Sequence, residues 1–288
     1  PFSVIYVKDL FDTKIHNKED LEKEIGREIA VLAEIPRITD KRESTIQPND
    51  RSILAESFRI MRTNLDYFVR ARKVEGVKNN IIYVTSTING EGKSFVSFNL
   101  ALTFAYSGKK VIIVGADLRN PGLNLYLGGN LSPKGVCEYL TDGIPVKDLI
   151  SPIFTDDTML DVIHSGKIPP NPAELLMNEK LEVLFAKLSD EYDYVIVDTA
   201  PSLLVTDTLL ISKYAHHTIY VTRADYTEKK MLSFPRELKD DKKLSGMIMV
   251  INDVKETNFG YGTKYGYGYY GDKKNTKKMK KLNGNVKK

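Results

Sequence analysis

The sequence predicts an α/β fold, a mostly parallel sheet flanked by helices on both faces, and three observations predict it. Short, continuously apolar runs recur along the 288 residues, at 81–85, 111–114, 194–197, 218–221 and 247–251. A strand that is apolar on both faces must be covered on both, which is the habit of parallel sheets. Helical segments, such as 94–107 and 180–188, lie between these runs and supply the crossovers that parallel strands require. The first run also leads directly into a glycine-bearing loop and then a helix.

Taken in order, residues 1–51 read as a lead-in and linker. The first seven, Pro-Phe-Ser-Val-Ile-Tyr-Val, are either the trailing end of a membrane span or an ordinary strand start. Asn17 is placed to cap a helix, Lys18–Ile25, that stops at Gly26. An apolar run at 29–33 is ended by Ile35-Pro36, and the polar stretch 39–50 with Pro48 reads as linker. Over 52–74, Ile53, Leu54, Phe58, Met61, Leu65, Phe68 and Val69 recur at helical spacing. Glu56, Arg59 and Arg62 are three apart and form a charged stripe beside that apolar face. The alternating strands and helices then run to about residue 258. Residues 259–271 carry five tyrosines, Tyr261, Tyr265, Tyr267, Tyr269 and Tyr270, among glycines. Glycine at this density leaves little to bury, so 259–288 is expected to be a disordered tail.

Composition narrows the classes. An apolar content of 42% supports a large core, and the single cysteine, Cys137, excludes an internal disulfide or a cysteine-rich metal site. No run of 18 apolar residues is present. The net charge of +4 hides a division: residues 273–288 carry eight lysines and no acid, and the remainder has 34 basic against 38 acidic residues. A basic arm of this kind suits polyanions or anionic lipid, while the body does not read as a nucleic-acid binder.

The chemistry is concentrated where strands end. Ser86-Thr-Ile-Asn89-Gly90-Glu91-Gly92-Lys93-Ser94-Phe95 follows the first strand and opens a helix, the context of a phosphate-binding P-loop. Backbone N–H groups there and the helix N-terminus hold phosphate oxygens. Lys93 reaches the β- and γ-phosphates, and the Ser94 hydroxyl ligates Mg²⁺. Thr87 stands where the pattern's first glycine usually lies. The strands at 111–114 and 194–197 deliver Asp117, Arg119 and Asp198 at their carboxyl ends, where ligands sit in open α/β sheets.

Together, Glu91-Gly-Lys-Ser94, Asp117-Leu-Arg119 and Val197-Asp198-Thr-Ala-Pro201 resemble the bacterial tyrosine kinases, P-loop enzymes unrelated in fold to eukaryotic kinases. Glu56-x-x-Arg59-x-x-Arg62 resembles their subunit-contact helix, Ile168-Pro-Pro-Asn171 their loop after the middle strand, and the tyrosine cluster their autophosphorylation tail. The resemblance covers about residues 52–271, and its catalytic domain is expected over 52–258. It implies ATP and Mg²⁺ as cofactors, with Ser94, Asp117 and Asp198 around the metal and Lys93, Asp117, Arg119 and Asp198 as the catalytic set. Asp117 either orients and deprotonates the tyrosine hydroxyl or serves the metal. Residues 89–95 would hold the nucleotide. Asn252 either reads adenine or is a turn residue. One departure stands out: where the family usually has a first aspartate before Asp117, this chain has Gly115.

The same resemblance implies autophosphorylation of the tail in trans within a homo-oligomeric ring. It places the chain at the cytoplasmic face of the bacterial inner membrane, joined to a polysaccharide chain-length domain upstream. The activity would regulate capsular or exopolysaccharide synthesis and export, opposed by a phosphotyrosine phosphatase. Two other readings stand beside it. One is an ATP-gated dimerisation switch of the partitioning or cell-division type, whose signature lysine is replaced here by Ile88. The other is an ATP-binding scaffold with weakened catalysis.

Overall fold

The computed structural model describes residues 12–258, excepting 27, 41–43, 73–77, 129–130 and 156–157. The tyrosine-rich and lysine-rich tail therefore lies outside the described residues, as do residues 1–11. In chain order the elements are α1 (Lys18–Ile25), β1 (Val31–Pro36), α2 (Ile53–Ala71), β2 (Ile81–Ser86), α3 (Lys93–Ala105) and β3 (Val111–Gly115). Then follow α4 (Val136–Asp142), β4 (Ser151–Thr155), β5 (Thr158–Ile163), α5 (Pro172–Leu176), α6 (Lys180–Glu191) and β6 (Tyr194–Asp198). The last are α7 (Asp207–Ile211), β7 (His217–Arg223), α8 (Ser233–Asp240) and β8 (Met247–Val254). Several 3₁₀ turns connect them.

The eight strands form one sheet in the order β1-β8-β7-β2-β6-β3-β5-β4. Every neighbouring pair is parallel except β4 and β5, which form an antiparallel edge. All five strands expected from the sequence are present. The β4–β5 pair was not anticipated. Asp161 interrupts its apolar run, and Ser151-Pro152 opens β4 without a strand signal; Asp161 is accommodated by a 2.7 Å hydrogen bond from the Tyr192 hydroxyl. The lead-in also proves to be part of the sheet, because β1 pairs with β8 along its length.

Side-chain alternation along the strands builds a core on each face. Ile82 and Val84 of β2 point to one side, with α3 above them and Phe58, Met61 and Leu65 of α2 beyond. Ile81 and Tyr83 point to the other, against Leu181, Leu184, Phe185 and Leu188 of α6. Each such side chain, fully buried, contributes roughly 1.5–3 kcal/mol. Nearly all of α3 is buried, which explains why its sequence shows no polar face. A third cluster ties Ile15, Leu21 and Ile25 of the lead-in to Tyr220, Met249 and Ile251. Ser52 caps α2, its hydroxyl accepting from the Ala55 N–H at 3.1 Å. Among the described residues, no helix is long and apolar enough to cross a membrane.

Candidate functional site

The carboxyl ends of β2, β3 and β6 lie side by side, so the loops leaving them share one mouth. Gly115 and Asp198 are register partners, and β2 pairs beside β6 with Val84 opposite Asp198. The loop after β2 needs glycine at two points. Gly90 and Gly92 have φ of 85° and 99°, in the left-handed region. A side chain at position 92 would run into the Asn252 amide. Thr87 is not among the residues with positive φ, so the usual first glycine is dispensable here. Its hydroxyl instead accepts from the Tyr220 hydroxyl at 3.2 Å.

Asp198 is almost completely buried and accepts hydrogen bonds from the Ser94 hydroxyl at 2.6 Å and the Ser97 hydroxyl at 3.3 Å. Burial raises its pKa to about 6, although the Lys93 ammonium and the Ser94 hydrogen bond pull it down. A buried carboxylate held in contact with a hydroxyl, and costly to ionise, fits a bound cation whose charge it would balance. Among the described residues no three His, Cys, Asp or Glu side chains gather as a metal site. Ser94 and Asp198 thus fit an Mg²⁺ that takes its remaining ligands from phosphate and water.

Asp117 is also buried, with its pKa raised by burial and lowered by hydrogen bonds and Lys93. Its Oδ1 accepts from the N–H groups of Arg119 and Asn120, at 3.2 and 2.9 Å, so one oxygen shapes the turn after β3. Arg119 makes a two-point ion pair with Asp207 (2.7 and 3.0 Å), a buried residue at the start of α7 that sequence reading missed. Lys93 lies in the first turn of α3, close enough to both aspartates to lower their pKa values.

Two residues expected to hold the nucleotide have other contacts. The Glu91 carboxylate is buried and accepts from the Ile88 N–H (2.8 Å) and the Thr227 hydroxyl (2.5 Å), fixing the loop. The Phe95 ring packs edge-on against Phe58 at 5.9 Å, in the core. Asn89 and Gly90 lie on the loop itself, and the Asn252 amide donates to the Glu91 carbonyl at 3.0 Å. At Gly115, an added Cβ would stand 3.1 Å from the Ser165 backbone nitrogen, so an aspartate there requires that segment to shift by a few tenths of an ångström.

The stripe on α2 makes bonds within its own chain. Arg59 pairs with Glu56 at 3.1 Å and donates to the Asp50 carbonyl, while Arg62 reaches the Thr103 carbonyl at 3.5 Å. Glu56 and Arg59 remain half-exposed.

A family model described as an AAA domain matches residues 79–229, the stretch from β2 to the loop after β7. The tyrosine-protein kinase CpsD of Streptococcus agalactiae is 31% identical over 223 residues, which cover 77% of this chain and 92% of that protein. The chain belongs to the bacterial tyrosine-protein kinase family. The kinase domain of the Escherichia coli tyrosine kinase ETK superimposes with a TM-score of 0.69 at 30% identity, covering 86% of this kinase chain and 98% of that domain. The tyrosine-protein kinase ptk of Acinetobacter johnsonii is 30% identical over 267 residues, 88% of this chain but 35% of that longer protein. The chain thus spans about a third of some curated relatives and nearly the whole of others.

Proposed function

We propose that this family member transfers the γ-phosphoryl group of ATP to tyrosine hydroxyls, its own tail tyrosines (Tyr261, Tyr265, Tyr267, Tyr269 and Tyr270) among them. The observation that carries this is the buried Asp198 carboxylate held 2.6 Å from the Ser94 hydroxyl at the mouth of a P-loop. Mg²⁺·ATP, when bound, supplies an electrophilic phosphoryl group and a cation that shields its charge. Ser94 and Asp198 hold the cation. Lys93, fixed in the first turn of α3, neutralises phosphate charge. Asp117, at the same mouth, has its Oδ1 taken by the turn after β3, and its other oxygen is the candidate to orient the incoming hydroxyl and take its proton. Arg119, braced by Asp207, keeps the turn that carries Asp117 in place. Positioning and charge neutralisation account for most of the catalysis in such transfers. The amide of Asn252 is engaged by the loop, which leaves its oxygen to meet an adenine amino group.

By family, the wider setting is capsular or exopolysaccharide synthesis and export. In this reading the chain lies at the cytoplasmic face of the inner membrane, linked to an upstream membrane-embedded chain-length domain, assembled as a ring through Glu56, Arg59 and Arg62, and reversed by a phosphatase. Incubation of the purified chain with Mg²⁺·ATP, followed by mass spectrometry for phosphotyrosine, separates the readings. Modified tail tyrosines support the kinase. Nucleotide-dependent dimerisation without phosphotyrosine supports the switch, and binding with neither supports the scaffold.

A further inference from the structure

Three consecutive carbonyls of the phosphate loop are each held by a side chain from the carboxyl ends of the neighbouring strands β7 and β8 or the loop after β7. The Tyr226 hydroxyl donates to the Asn89 carbonyl at 3.0 Å, Arg223 Nη1 to the Gly90 carbonyl at 2.9 Å, and Asn252 Nδ2 to the Glu91 carbonyl at 3.0 Å. In a trans peptide, the carbonyl and the following N–H point in opposite directions. Pinning these three carbonyls therefore turns the N–H groups of Gly90, Glu91 and Gly92 the other way, as one set. Successive N–H groups aimed in common make an anion-binding concavity.

The pins are themselves anchored. Arg223 and Asn252 are register partners at the ends of β7 and β8. Arg223 Nε bonds Asp253 at 3.0 Å; Asp253 also holds Arg37 at 3.0 Å, and Arg37 reaches Asp225 at 2.9 Å. Asp225 and Asp253 have φ of 58° and 61°, a conformation that non-glycine residues seldom adopt. Local strain of this kind persists where the surroundings over-determine it. Here it falls beside both outer pins. The Thr227 hydroxyl adds a fourth tie, accepting from the Arg223 N–H and donating to Glu91.

We infer that Arg223 and Tyr226 are positioning residues that orient the phosphate-binding N–H groups through the carbonyls of Asn89 and Gly90. The inference rests on the P-loop reading above. Both side chains are over a third exposed, so their removal should leave the core intact. The test is titration of a fluorescent ATP analogue, with Mg²⁺, into the wild-type chain, Tyr226→Phe and Arg223→Met. Loss of one neutral hydrogen bond predicts an affinity about 3-fold weaker for Tyr226→Phe, and loss of a charged donor about 10-fold weaker for Arg223→Met. Unfolding midpoints without nucleotide should stay within about 2 °C for Tyr226→Phe, as expected for an exposed site. In phosphorylation assays KM for ATP should rise while kcat holds, and Arg223→Lys should recover part of the loss. Wild-type affinity in both variants, or a fall in kcat alone, overturns the positioning role. Absence of binding by the wild-type chain overturns the P-loop reading and the pins with it.

Discussion

Asp198 is where stability and chemistry oppose one another. A carboxylate whose pKa is raised to about 6 by burial is ionised at neutral pH only at a cost to the folded state. Asp198→Asn removes that cost and keeps one oxygen to accept from the Ser94 hydroxyl, while its NH₂ takes the place of the oxygen that faces Ser97. The nucleotide-free variant should therefore be more stable than wild type by roughly 1–3 kcal/mol at pH 7.5. Urea unfolding measures this, and the same variant should form no phosphotyrosine. A destabilised variant would mean that Asp198 is structural, not held ready for a cation. Glu91 presents a contrast within the same loop. Its burial also raises its pKa, but its hydrogen bonds are spent on Ile88 and Thr227, so the loop's shape depends on it.

At the scale of elements, α2 carries the open question of assembly. Its Glu56 and Arg59 are half-exposed and paired, and Arg62 donates to the Thr103 carbonyl near the end of α3. The triple variant Glu56→Ala, Arg59→Ala, Arg62→Ala should sediment as monomer under conditions where wild type is a closed oligomer, and unfold within about 1 kcal/mol of it, since exposed pairs contribute little. An unchanged assembly contradicts the contact role. Much of the fold was legible in the sequence because five central strands are continuously apolar and α2 has a clean helical period. The β4–β5 edge was hidden by Asp161 and by a polar opening to β4, and the role of β1 depended on pairing with a strand more than 200 residues away. In the site, Lys93, Ser94, Asp117 and Asp198 were readable from strand-loop contexts. Asp207, Arg223, Tyr226 and Thr227 were not. Each acts from a neighbouring strand end, helix start or loop on a partner distant in sequence, and no local pattern marks it.

For the whole molecule, acid sensitivity has an identifiable source at the end of the sheet opposite the site. His217 is buried at the start of β7, neither ring nitrogen has a hydrogen-bond partner among the described residues, and it packs edge-on against Phe68. Burial, with smaller contributions from His216 and Arg72, lowers its pKa to about 4. The unfolded chain takes up this proton near pH 6.5 and the folded chain only near pH 4, so stability is lost as pH falls through that window. The loss should total on the order of 2–3 kcal/mol. His217→Phe should flatten the unfolding midpoint between pH 6.5 and 4.5 relative to wild type; parallel profiles would contradict this. The most direct test of the chemistry is the rate of phosphotyrosine formation with Mg²⁺·ATP in wild type and in Lys93→Met, with circular dichroism establishing that both are folded. Removing this charge from the phosphate site should slow the reaction by about 100-fold or more. Equal rates in the two folded chains would contradict the assignment of the loop at residues 86–94 as the place where the phosphoryl group is held and transferred.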